Sequence, residues 1–405
     1  MADAVAIILA DGPATRLKTA LPKALHRAGG RALLEYALDA ATGSGVRAVA
    51  VLGPAEAEAL AALTAERATY VPGGESLAAG IQRALAQLPP APTVLLLPCD
   101  HPQLTAAHLQ ALLTFHQGAG SGASTLSIGG APVGAYAVAR EALLALSPEA
   151  TPEALLPAAR VYSLAGQPLI DVDTRADLAR AERLLRRATL ERLMDEGVTI
   201  LDPESTFIDA GVRVGMDTVI YPWTLLEGRT EIGQRCTIGP HAHLIHCVTG
   251  DEVTIEAAVI RESRLGHRVA VGPYAQLRPG CDVGEGTKLG DFVELKNAQV
   301  GAHVSIAHLA YVGDAEVGDH ANIGAGVITC NFDGFEKHRT TIGAHAFVGS
   351  NSVLIAPVTI GPGAYVAAHS AIPQEVPADA LGIARSRQEN KPDWARRRRE
   401  SRGKG

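Results

Sequence analysis

The sequence predicts an α/β protein in two parts, a Rossmann-like domain followed by a parallel β-helix of six-residue repeats. Two observations support this prediction. Up to about residue 195, short apolar runs alternate with stretches of helical periodicity, which is typical of βαβ units around a mostly parallel sheet. Beyond that point aliphatic residues recur every six positions, a period that fits neither an α-helix nor a single alternating strand.

The composition agrees with a globular chain that has a repetitive half. The 405 residues are 47% apolar and 20% charged, which suits more than one hydrophobic core. Only 4% are aromatic, and tightly wound repeats favour small and β-branched side chains over large rings. The net charge of -7 argues against nucleic acid as the main partner.

The cysteines and the first apolar run indicate where the protein works. Five cysteines stand singly along the chain, without the paired spacing of a metal site, as reduced thiols of a cytosolic protein do. The apolar run 5–10 follows no basic segment and is too short for a signal peptide or a membrane span. We therefore expect a cytoplasmic protein that does not contact membranes.

The first part alternates strands and helices along the chain. The predicted strands are residues 5–10, 46–52, 93–98 and 124–128. The predicted helices are residues 31–41, 55–66, 77–88, 105–116 and 176–193. We assign 1–175 to an α/β domain, whose ligands should bind at the carboxyl ends of the strands, and 176–197 to a connecting helix.

The six-residue period of the second part occurs in four phases. They comprise Val214, Ile220, Leu226, Ile232, Ile238 and Leu244; Val253, Val259, Leu265, Val271, Leu277, Val283, Leu289 and Leu295; Val300, Ile306 and Val312; and Ile342, Val348, Leu354, Ile360, Val366 and Ile372. Such side chains stack into a continuous interior column. We assign 198–380 to the β-helix and 381–405, with arginines at 396–399, to a basic tail. A break at 331–339 predicts a loop ejected from one coil, where a rigid scaffold often carries function.

Five motifs then mark the second part. They are Leu277-Arg278-Pro279-Gly280, Phe292-Val293-Glu294-Leu295-Lys296, Ala307-His308-Leu309-Ala310-Tyr311, Asn322-Ile323-Gly324-Ala325-Gly326 and Gly326-Val327-Ile328-Thr329-Cys330-Asn331-Phe332-Asp333-Gly334. In this order they closely resemble the bifunctional N-acetylglucosamine-1-phosphate uridylyltransferase / glucosamine-1-phosphate acetyltransferase family. The resemblance continues from about Pro273 to Trp394. It implies a left-handed β-helix and a homotrimer with acetyl-transfer sites between subunits.

Acetyl transfer to an amine needs a base, cations for the sugar phosphate and dipoles for the developing oxyanion. An imidazole such as that of His308 suits the base, and Glu294 is expected to orient it. The resemblance assigns the sugar phosphate to Arg278, Lys296, Tyr311, Asn322 and Lys337. It assigns acetyl-coenzyme A to Ala325, Asn331, Phe332, Ser350, Ala368 and Arg385. Phe332 replaces the usual tyrosine and keeps the ring without the hydroxyl.

The first part carries a second signature, in Leu9-Ala10-Asp11-Gly12-Pro13-Ala14-Thr15-Arg16-Leu17 followed by Leu21-Pro22-Lys23. It resembles the phosphate-binding loop of a nucleotidyltransferase domain in the same family. Such a loop offers backbone N–H groups to phosphates while cations neutralise their charge. The implied nucleotide contacts are Leu9, Ala10, Gly12, Arg16 and Lys23. The implied Mg²⁺ ligands are Asp100 and Asp173, because carboxylates at strand ends suit a hard cation.

Several positions depart from that signature. Asp11 brings a negative charge toward the phosphates, Pro13 removes a backbone donor and Ala14 replaces a glycine. The segment 71–77 stands where the family has its uracil-binding segment, and the stretch between the two aspartates is short. This part therefore also resembles compact nucleotidyltransferases such as those that make molybdopterin dinucleotides.

Together these features predict a homotrimeric, bifunctional enzyme of UDP-N-acetylglucosamine and cell-wall precursor synthesis. Its β-helix would acetylate glucosamine 1-phosphate with acetyl-coenzyme A as co-substrate. Its first domain would join N-acetylglucosamine 1-phosphate to UTP with Mg²⁺. Two alternatives stay open. The first domain could be non-catalytic or differently specific, or the β-helix could be a non-catalytic trimerisation module.

Overall fold

Two structural units divide the chain, and each holds one of the two predicted folds. The computed structural model describes residues 3–12, 14–74, 76–120, 122–147, 150 and 159–403. The first unit comprises Met1–Arg192 with Ile208–Gly211, and the second comprises Leu193–Phe207 with Val212–Gly405. Among the described residues, none of the helices combines the length and apolarity needed to span a bilayer.

The first unit is built on a seven-stranded sheet with a small hairpin beside it. The strands are β1 (Ala4–Leu9), β2 (Arg27–Ala28), β3 (Arg31–Ala32), β4 (Val49–Gly53), β5 (Thr69–Pro72), β6 (Thr93–Pro98), β7 (Ala123–Ile128), β8 (Ala131–Ala139) and β9 (Arg160–Leu164). The sheet order is β5-β4-β1-β6-β8-β7-β9, and β2 pairs with β3. The strands β5, β4, β1 and β6 are parallel, whereas β8 runs antiparallel to β6 and β7.

Helices cover this sheet because alternate side chains of each central strand point to opposite faces. They are α1 (Leu33–Gly43), α2 (Glu58–Thr64), α3 (Leu77–Gln87), α4 (Ala106–Ala119) and α5 (Arg140–Leu144), whereas α6 (Arg175–Asp195) packs in a separate cluster with Ala28 and Leu33. Along β1, Ile8 packs in one core with residues of α1 and α4, whereas Ile7 packs in another with residues of α3. Hydroxyl caps start two helices: Ser76 accepts from the N–H of Ala79, and Thr105 from that of His108.

All four predicted strands and all five predicted helices of this unit exist, with shifted ends. The predicted strand 46–52 begins at Val49, and the predicted helix 55–66 is shortened to Glu58–Thr64. The prediction missed the hairpin strands β2 and β3, the sheet strands β5, β8 and β9, and the helix α5. The strand β8 has the sequence Ala-Pro-Val-Gly-Ala-Tyr-Ala-Val-Ala, in which small residues hide the alternation that marks a strand.

The second unit is a parallel β-helix with three faces. The first face contains Thr199–Ile200, Val219–Ile220, Thr237–Ile238, Thr254–Ile255, Ala270–Val271, Lys288–Asp291, Ser305–His308, Asn322–Ile323, Phe347–Val348, Tyr365–Val366 and Leu381–Gly382. The second contains Leu225–Glu227, His243–Ile245, Val259–Arg261, Gln276–Leu277, Ile328–Cys330, Val353–Ile355 and Ala371–Ile372, and the short strand Phe207–Ile208 precedes them in the chain. The third contains Arg213–Val214, Glu231–Ile232, Val248–Thr249, Arg264–Leu265, Asp282–Val283, Thr340–Ile342 and Val358–Ile360.

Two longer strands, Glu294–Val300 and Tyr311–Val317, bend from the second face onto the third. We call the turn between the first and second faces the first corner, that between the second and third the second corner, and that between the third and first the third corner. The helix α7 (Trp394–Glu400) follows the last coil. The parallel hexapeptide β-helix predicted from the sequence is confirmed.

The interior column departs from a strict six-residue period at a few coils. Ile238 pairs with Ile255, and Leu244 pairs with Ile260, so these two isoleucines form the column. The prediction that Val253 and Val259 belong to it was wrong. Val253 is buried two residues before the column residue Ile255, at a position that small side chains fill in other coils. Val259 points outward and is half-buried. Steps of five residues at some corners shift the phase.

In many coils a small side chain fills the interior position two residues before the column residue. Thr218, Ala242 and Ser263 occupy it in different coils, and all three are buried. Cys236, Cys247 and Cys281 take the same place, which explains three of the five cysteines scattered along the sequence. Burial raises the pKa of each of these three thiols, so they remain protonated packing groups.

The register of the interior column yields a stability prediction. Replacing Ile260 by Ala should lower the free energy of unfolding of the β-helix by about 2–5 kcal/mol, because its side chain is fully buried. The matched change Val259→Ala should cost about 1 kcal/mol or less, because that side chain is half-buried. Denaturant unfolding followed by circular dichroism measures both. Equal losses would contradict the register.

Candidate functional site

In the first unit, the predicted nucleotide and metal residues converge at the carboxyl ends of β1 and β6. A short 3₁₀ turn, Thr15–Leu17, follows β1 and carries Arg16, and a second, Lys23–Leu25, begins at Lys23. Asp100 follows β6, and Asp173 precedes α6. The backbone N–H of Val172 donates to the carbonyl of Asp100 at 3.0 Å, which holds the two aspartate segments side by side.

Lys23 lies between the two predicted metal ligands. Its Nζ is 2.5 Å from Asp100 Oδ2 and 2.8 Å from Asp173 Oδ1. Arg16 Nη1 contacts the second oxygen of Asp173 at 2.8 Å. The lysine side chain is 12% exposed and both aspartates are 18% exposed, so this ion cluster is well shielded from water. The cations and carboxylates named from the sequence therefore meet in one place.

Burial and charge act in opposite directions on this cluster. Burial alone would raise the pKa of Asp100, but the hydrogen bond from His101 and the Lys23 ammonium hold it at about 2. Burial likewise would lower the pKa of Lys23, and the neighbouring carboxylates raise it above its usual value instead. Both groups are therefore fully ionised at neutral pH, and the negative charge of the carboxylates favours a cation beside them.

The geometry fits a divalent cation and adds two groups to the predicted pair. Ligand atoms of Asp100, His101 and Asp171 lie within 4.8 Å of one another, an arrangement that could hold a metal ion. Asp171 Oδ1 is also 3.7 Å from Lys23 Nζ. The predicted ligand Asp173 is outside that trio and is occupied by Arg16 and Lys23. The carboxylate oxygens around the Lys23 ammonium are of the kind that a hard cation such as Mg²⁺ prefers.

Two adjoining cavities surround these side chains. The smaller, of about 270 Å³, is lined by Leu9, Gly12, Thr15, Arg16, Lys23, Cys99, Asp100 and Asp173. The larger, of about 1110 Å³, extends from Asp100 across the loops after β1 and β5 to β8. Ala10, also predicted to bind nucleotide, is buried beneath them. Pro13 and Glu75 lie outside the described residues.

Asp11 lines the larger cavity and departs from the expected phosphate-binding signature. Partial burial raises the pKa of its carboxyl group. A side chain at Gly73 would collide with this carboxylate, since an added Cβ there would lie 2.3 Å from Asp11 Oδ2. The carboxylate therefore faces the loop after β5, which is the segment that replaces the family's uracil-binding sequence.

In the β-helix, His308 stands at the first corner and is held by an unexpected carboxylate. Its Nδ1 hydrogen-bonds Asp291 Oδ1, on the preceding coil, where the two residues are in register. This bond lowers the pKa of the Asp291 carboxyl. The expectation that Glu294 orients His308 does not match the structure. Glu294 instead accepts an ion pair from Arg278 at 2.8 Å.

The predicted sugar-phosphate cations gather at and near the second corner. The Lys296 ammonium, close to that of Lys337, lowers the pKa of Lys337. Burial would raise the pKa of the adjacent Asp314, but hydrogen bonds from Asn297 and Asn331 and both lysines lower it. Tyr311 Oη is 3.5 Å from Asn331 Nδ2. Two cations held near each other favour an anionic group between them.

The ejected loop carries Lys337 and is tied down by its own hydrogen bonds. Asp333 Oδ1 accepts from the N–H groups of Phe335 and Glu336 at 2.8 and 2.7 Å, and its Oδ2 contacts His338 Nε2 at 2.8 Å. An isolated bridge joins Phe332 to Lys337. The predicted break at 331–339 is thus a defined loop, with Phe332 exposed at its base.

Four of the six residues predicted to contact acetyl-coenzyme A follow the first corner from His308 toward the C-terminus, whereas Asn331 and Phe332 lie in the ejected loop. The N–H of Gly326 donates to the His308 carbonyl, the N–H of Asn351 to that of Ala325, and the N–H of His369 to that of Ser350. Arg385 Nη1 donates to the Ala368 carbonyl at 3.0 Å. Asn322 lies on the first face, in register with Ser305. Ala325, Ser350, Ala368 and Arg385 therefore form one continuous column along this edge of the helix.

Sequence reasoning missed four polar residues at these sites: His101, Asp171, Asp291 and Asp314. For Asp171 the signal was present, since Asp171-Val172-Asp173 puts two carboxylates on one face of an extended segment. Asp291 could be found only by knowing which residues of successive coils are in register. That register depends on corner lengths, which the sequence pattern does not reveal directly.

Comparison with known proteins gives matches over both units. The model of the MobA-like NTP transferase domain family matches residues 6–197, and that of the bacterial transferase hexapeptide family matches residues 339–374. The bifunctional protein GlmU of Alkaliphilus metalliredigens is 36% identical, over 97% of this chain and 98% of the relative. The bifunctional protein GlmU of Carboxydothermus hydrogenoformans is 38% identical, over 96% and 99%.

The alignments to these two relatives are longer than this chain. The alignment to the first of these relatives spans 447 positions, more than the 405 residues of this chain, so the relative has segments that this chain lacks. The MobA-like match agrees with the compact first domain expected from the sequence. Nearly complete coverage of both proteins at this identity settles the classification. This chain belongs to the family of the bifunctional protein GlmU.

Proposed function

We propose that the protein acetylates glucosamine 1-phosphate with acetyl-coenzyme A in its β-helix and joins the product to UTP in its first unit. The final product is UDP-N-acetylglucosamine, a precursor of cell-wall polymers, and the proposed location is the cytoplasm. The observation that carries the proposal is the pair of charged sites, one built for a sugar phosphate and one for a nucleotide triphosphate. Family membership supports the combination.

For acetyl transfer, the proposed base is His308. With its Nδ1 bonded to Asp291, the other ring nitrogen is available to take a proton from the attacking amine. Lys296, Lys337 and Arg278 would hold the phosphate, and Tyr311 and Asn322 the sugar hydroxyls. The amine then attacks the thioester carbonyl, the carbon–sulfur bond breaks, and coenzyme A leaves as the thiol. Ala325, Ser350, Ala368 and Arg385 would line the thioester.

We propose that each acetyl-transfer site forms between copies of the chain in a homotrimer. His308 lies at the first corner and the lysines lie at the second, so one chain presents the two halves at different edges. Beside His308 the first corner exposes an apolar stripe, formed by Trp223, Tyr274, Phe292 and Leu309. The rings of Tyr274 and Phe292 stack at 5.3 Å. An exposed apolar stripe beside half a site suits a contact with another copy.

For uridylyl transfer, an oxygen of the sugar phosphate attacks the α-phosphorus of UTP and pyrophosphate leaves. Arg16 and Lys23 line the smaller cavity and would bind the phosphates. Mg²⁺ at Asp100, with Asp171 and Asp173 nearby, would supply positive charge next to them. Lys23 is bonded to both aspartates and would be released to the phosphates when a divalent cation binds there. The larger cavity would hold nucleoside and sugar.

One observation favours a differently specific first unit as the second candidate function. The carboxylate of Asp11 faces the loop after β5 inside the larger cavity, where the family's uracil-binding segment is replaced. A carboxylate accepts hydrogen bonds from base N–H groups and repels carbonyl oxygens, of which uracil has two. Pyrophosphate release measured in parallel with UTP, CTP, GTP and ATP distinguishes the candidates. Preference for UTP supports the first, and preference for another nucleotide the second.

Removing the base should impair acetyl transfer. His308→Ala is expected to lower kcat at least about tenfold, in line with the contribution of a general base. Free thiol released from acetyl-coenzyme A in the presence of glucosamine 1-phosphate measures the rate. The matched control is His303→Ala, an exposed histidine of the same coil at the third corner, which should leave the rate unchanged. Equal rates for His308→Ala and wild type would show that the imidazole is not the base of acetyl transfer.

Removing a carboxylate of the first unit should impair only nucleotidyl transfer. Asp100→Ala is expected to lower pyrophosphate release at least about tenfold, because both Lys23 and the cation site lose their central partner. Acetyl transfer should remain at the wild-type rate. Asp3→Ala, which removes an exposed carboxylate paired with Arg47, is the control. Unchanged pyrophosphate release in Asp100→Ala would remove this aspartate from the proposed site.

Charging the apolar stripe should dissociate the proposed trimer. Phe292→Glu places a carboxylate among exposed apolar side chains, so light scattering after gel filtration should give the monomer mass. Acetyl transfer should fall at least about tenfold, since the two halves of the site separate. Met216→Glu, at an exposed methionine of the third corner, should remain trimeric. A trimeric Phe292→Glu would show that copies meet elsewhere.

A further inference from the structure

The environment of His308 points to a role for the carboxylate of Asp291, a residue that the sequence did not single out. The strands Lys288–Asp291 and Ser305–His308 are neighbours on the first face, and each ends at the first corner. Their register sets Asp291 directly beside His308, and Asp291 Oδ1 hydrogen-bonds the ring at Nδ1. The contact therefore joins consecutive coils at the edge where the base lies.

The backbone fixes both partners of this contact. The N–H of Leu309 donates to the carbonyl of Asp291 at 2.9 Å, so the residue after the histidine is tied to the aspartate. From the other side, the N–H of Gly326 donates to the His308 carbonyl at 3.3 Å. Leu309 turns the corner with a φ of 52°. The imidazole thus extends from a segment bonded to the coils before and after it.

Other charged groups cannot take over this role without rearrangement. On the preceding strand, Lys288 is in register with Ser305, three positions from the histidine. The following strand, Asn322–Ile323, contains no charged residue. Around the corner, Glu294 is paired with Arg278 at 2.8 Å. Asp291 is therefore the carboxylate that the described residues offer to the ring.

A carboxylate on Nδ1 has a definite chemical consequence. It accepts only, so the bonded ring nitrogen carries the proton and Nε2 keeps its lone pair. A base must present such a lone pair to take a proton from the amine. When it does, the new imidazolium is stabilised by the negative charge beside it. An amide in the same place could donate to Nδ1 and favour the opposite tautomer, which cannot accept a proton at Nε2.

We propose that Asp291 is the positioning residue of the acetyl-transfer base, holding His308 with its Nε2 free toward the amine. This inference rests on the proposed function, in which His308 takes the proton. It goes beyond that function by replacing Glu294 with Asp291 as the partner of the base. Glu294 keeps a different task, the orientation of Arg278 toward the sugar phosphate.

The test compares Asp291→Asn, Asp291→Glu, His308→Ala and the double variant Asp291→Asn/His308→Ala in the full-length chain. Asp291→Asn should lower kcat of acetyl transfer at least about tenfold because the ring can adopt the wrong tautomer. The KM values for glucosamine 1-phosphate and acetyl-coenzyme A should change less than about twofold, since the proposed action of Asp291 is on the ring and not on substrate binding. Asp291→Glu, which keeps the charge, should recover part of the loss.

The double variant gives the decisive comparison. If Asp291 acts through the ring, Asp291→Asn adds no further loss once His308 is Ala. Asp282→Asn, at an exposed aspartate of the preceding coil, is the matched control and should leave kcat unchanged. Pyrophosphate release by the first unit and the circular dichroism spectrum verify that every variant is folded.

The possible outcomes separate this inference from the proposed function. A wild-type rate for Asp291→Asn together with a large loss for His308→Ala would overturn the role of Asp291 and leave the base in place. An equal extra loss from Asp291→Asn in the His308→Ala background would overturn it as well, since the aspartate would then act independently. A fully active His308→Ala would overturn both proposals.

Discussion

The register between successive coils of the β-helix determines where every proposed functional side chain of the second unit lies. Parallel pairing sets Glu294 beside Gln276 and Tyr311 beside Glu294, so outward side chains form columns along each face and corner. Backbone hydrogen bonds between coils maintain these columns without help from the side chains themselves. The interior aliphatic column and the backbone hydrogen bonds between coils hold the fold. The outward charged residues are therefore available for binding and catalysis.

The two units use opposite means to prepare for anions. In the first unit, Lys23 and Arg16 are paired with the carboxylates of Asp100 and Asp173, so these four side chains balance in charge before any ligand arrives. In the second, Lys296 and Lys337 repel each other, and Asp314 compensates them only in part. A balanced cluster suits exchange of an ammonium for a metal cation, whereas an excess of positive charge suits direct capture of a sugar phosphate.

The sequence contained most of the architecture and fewer of the contacts. The six-residue period and the motif Asn331-Phe332-Asp333-Gly334 were enough to predict the β-helix, its ejected loop and the family. The prediction put Val253 and Val259 in the column instead of Ile255 and Ile260, because steps of five residues leave the local pattern ambiguous. The pairing of Asp291 with His308 depends on that same register, so a residue seventeen positions away could not be identified as its partner. In the first unit, the small residues of β8 gave too weak an alternation to reveal a strand.

The ejected loop between Ile328–Cys330 and Thr340–Ile342 shows how such a scaffold can change length. An extra residue inside a strand would turn every later side chain of that coil to the wrong face, whereas extra residues at a corner leave the next coil stacked. Corners are therefore the natural places for grafting, for inserting a reporter peptide or for evolutionary elongation. In this protein the loop at the second corner carries Phe332, Phe335 and Lys337 outside the coils of the β-helix.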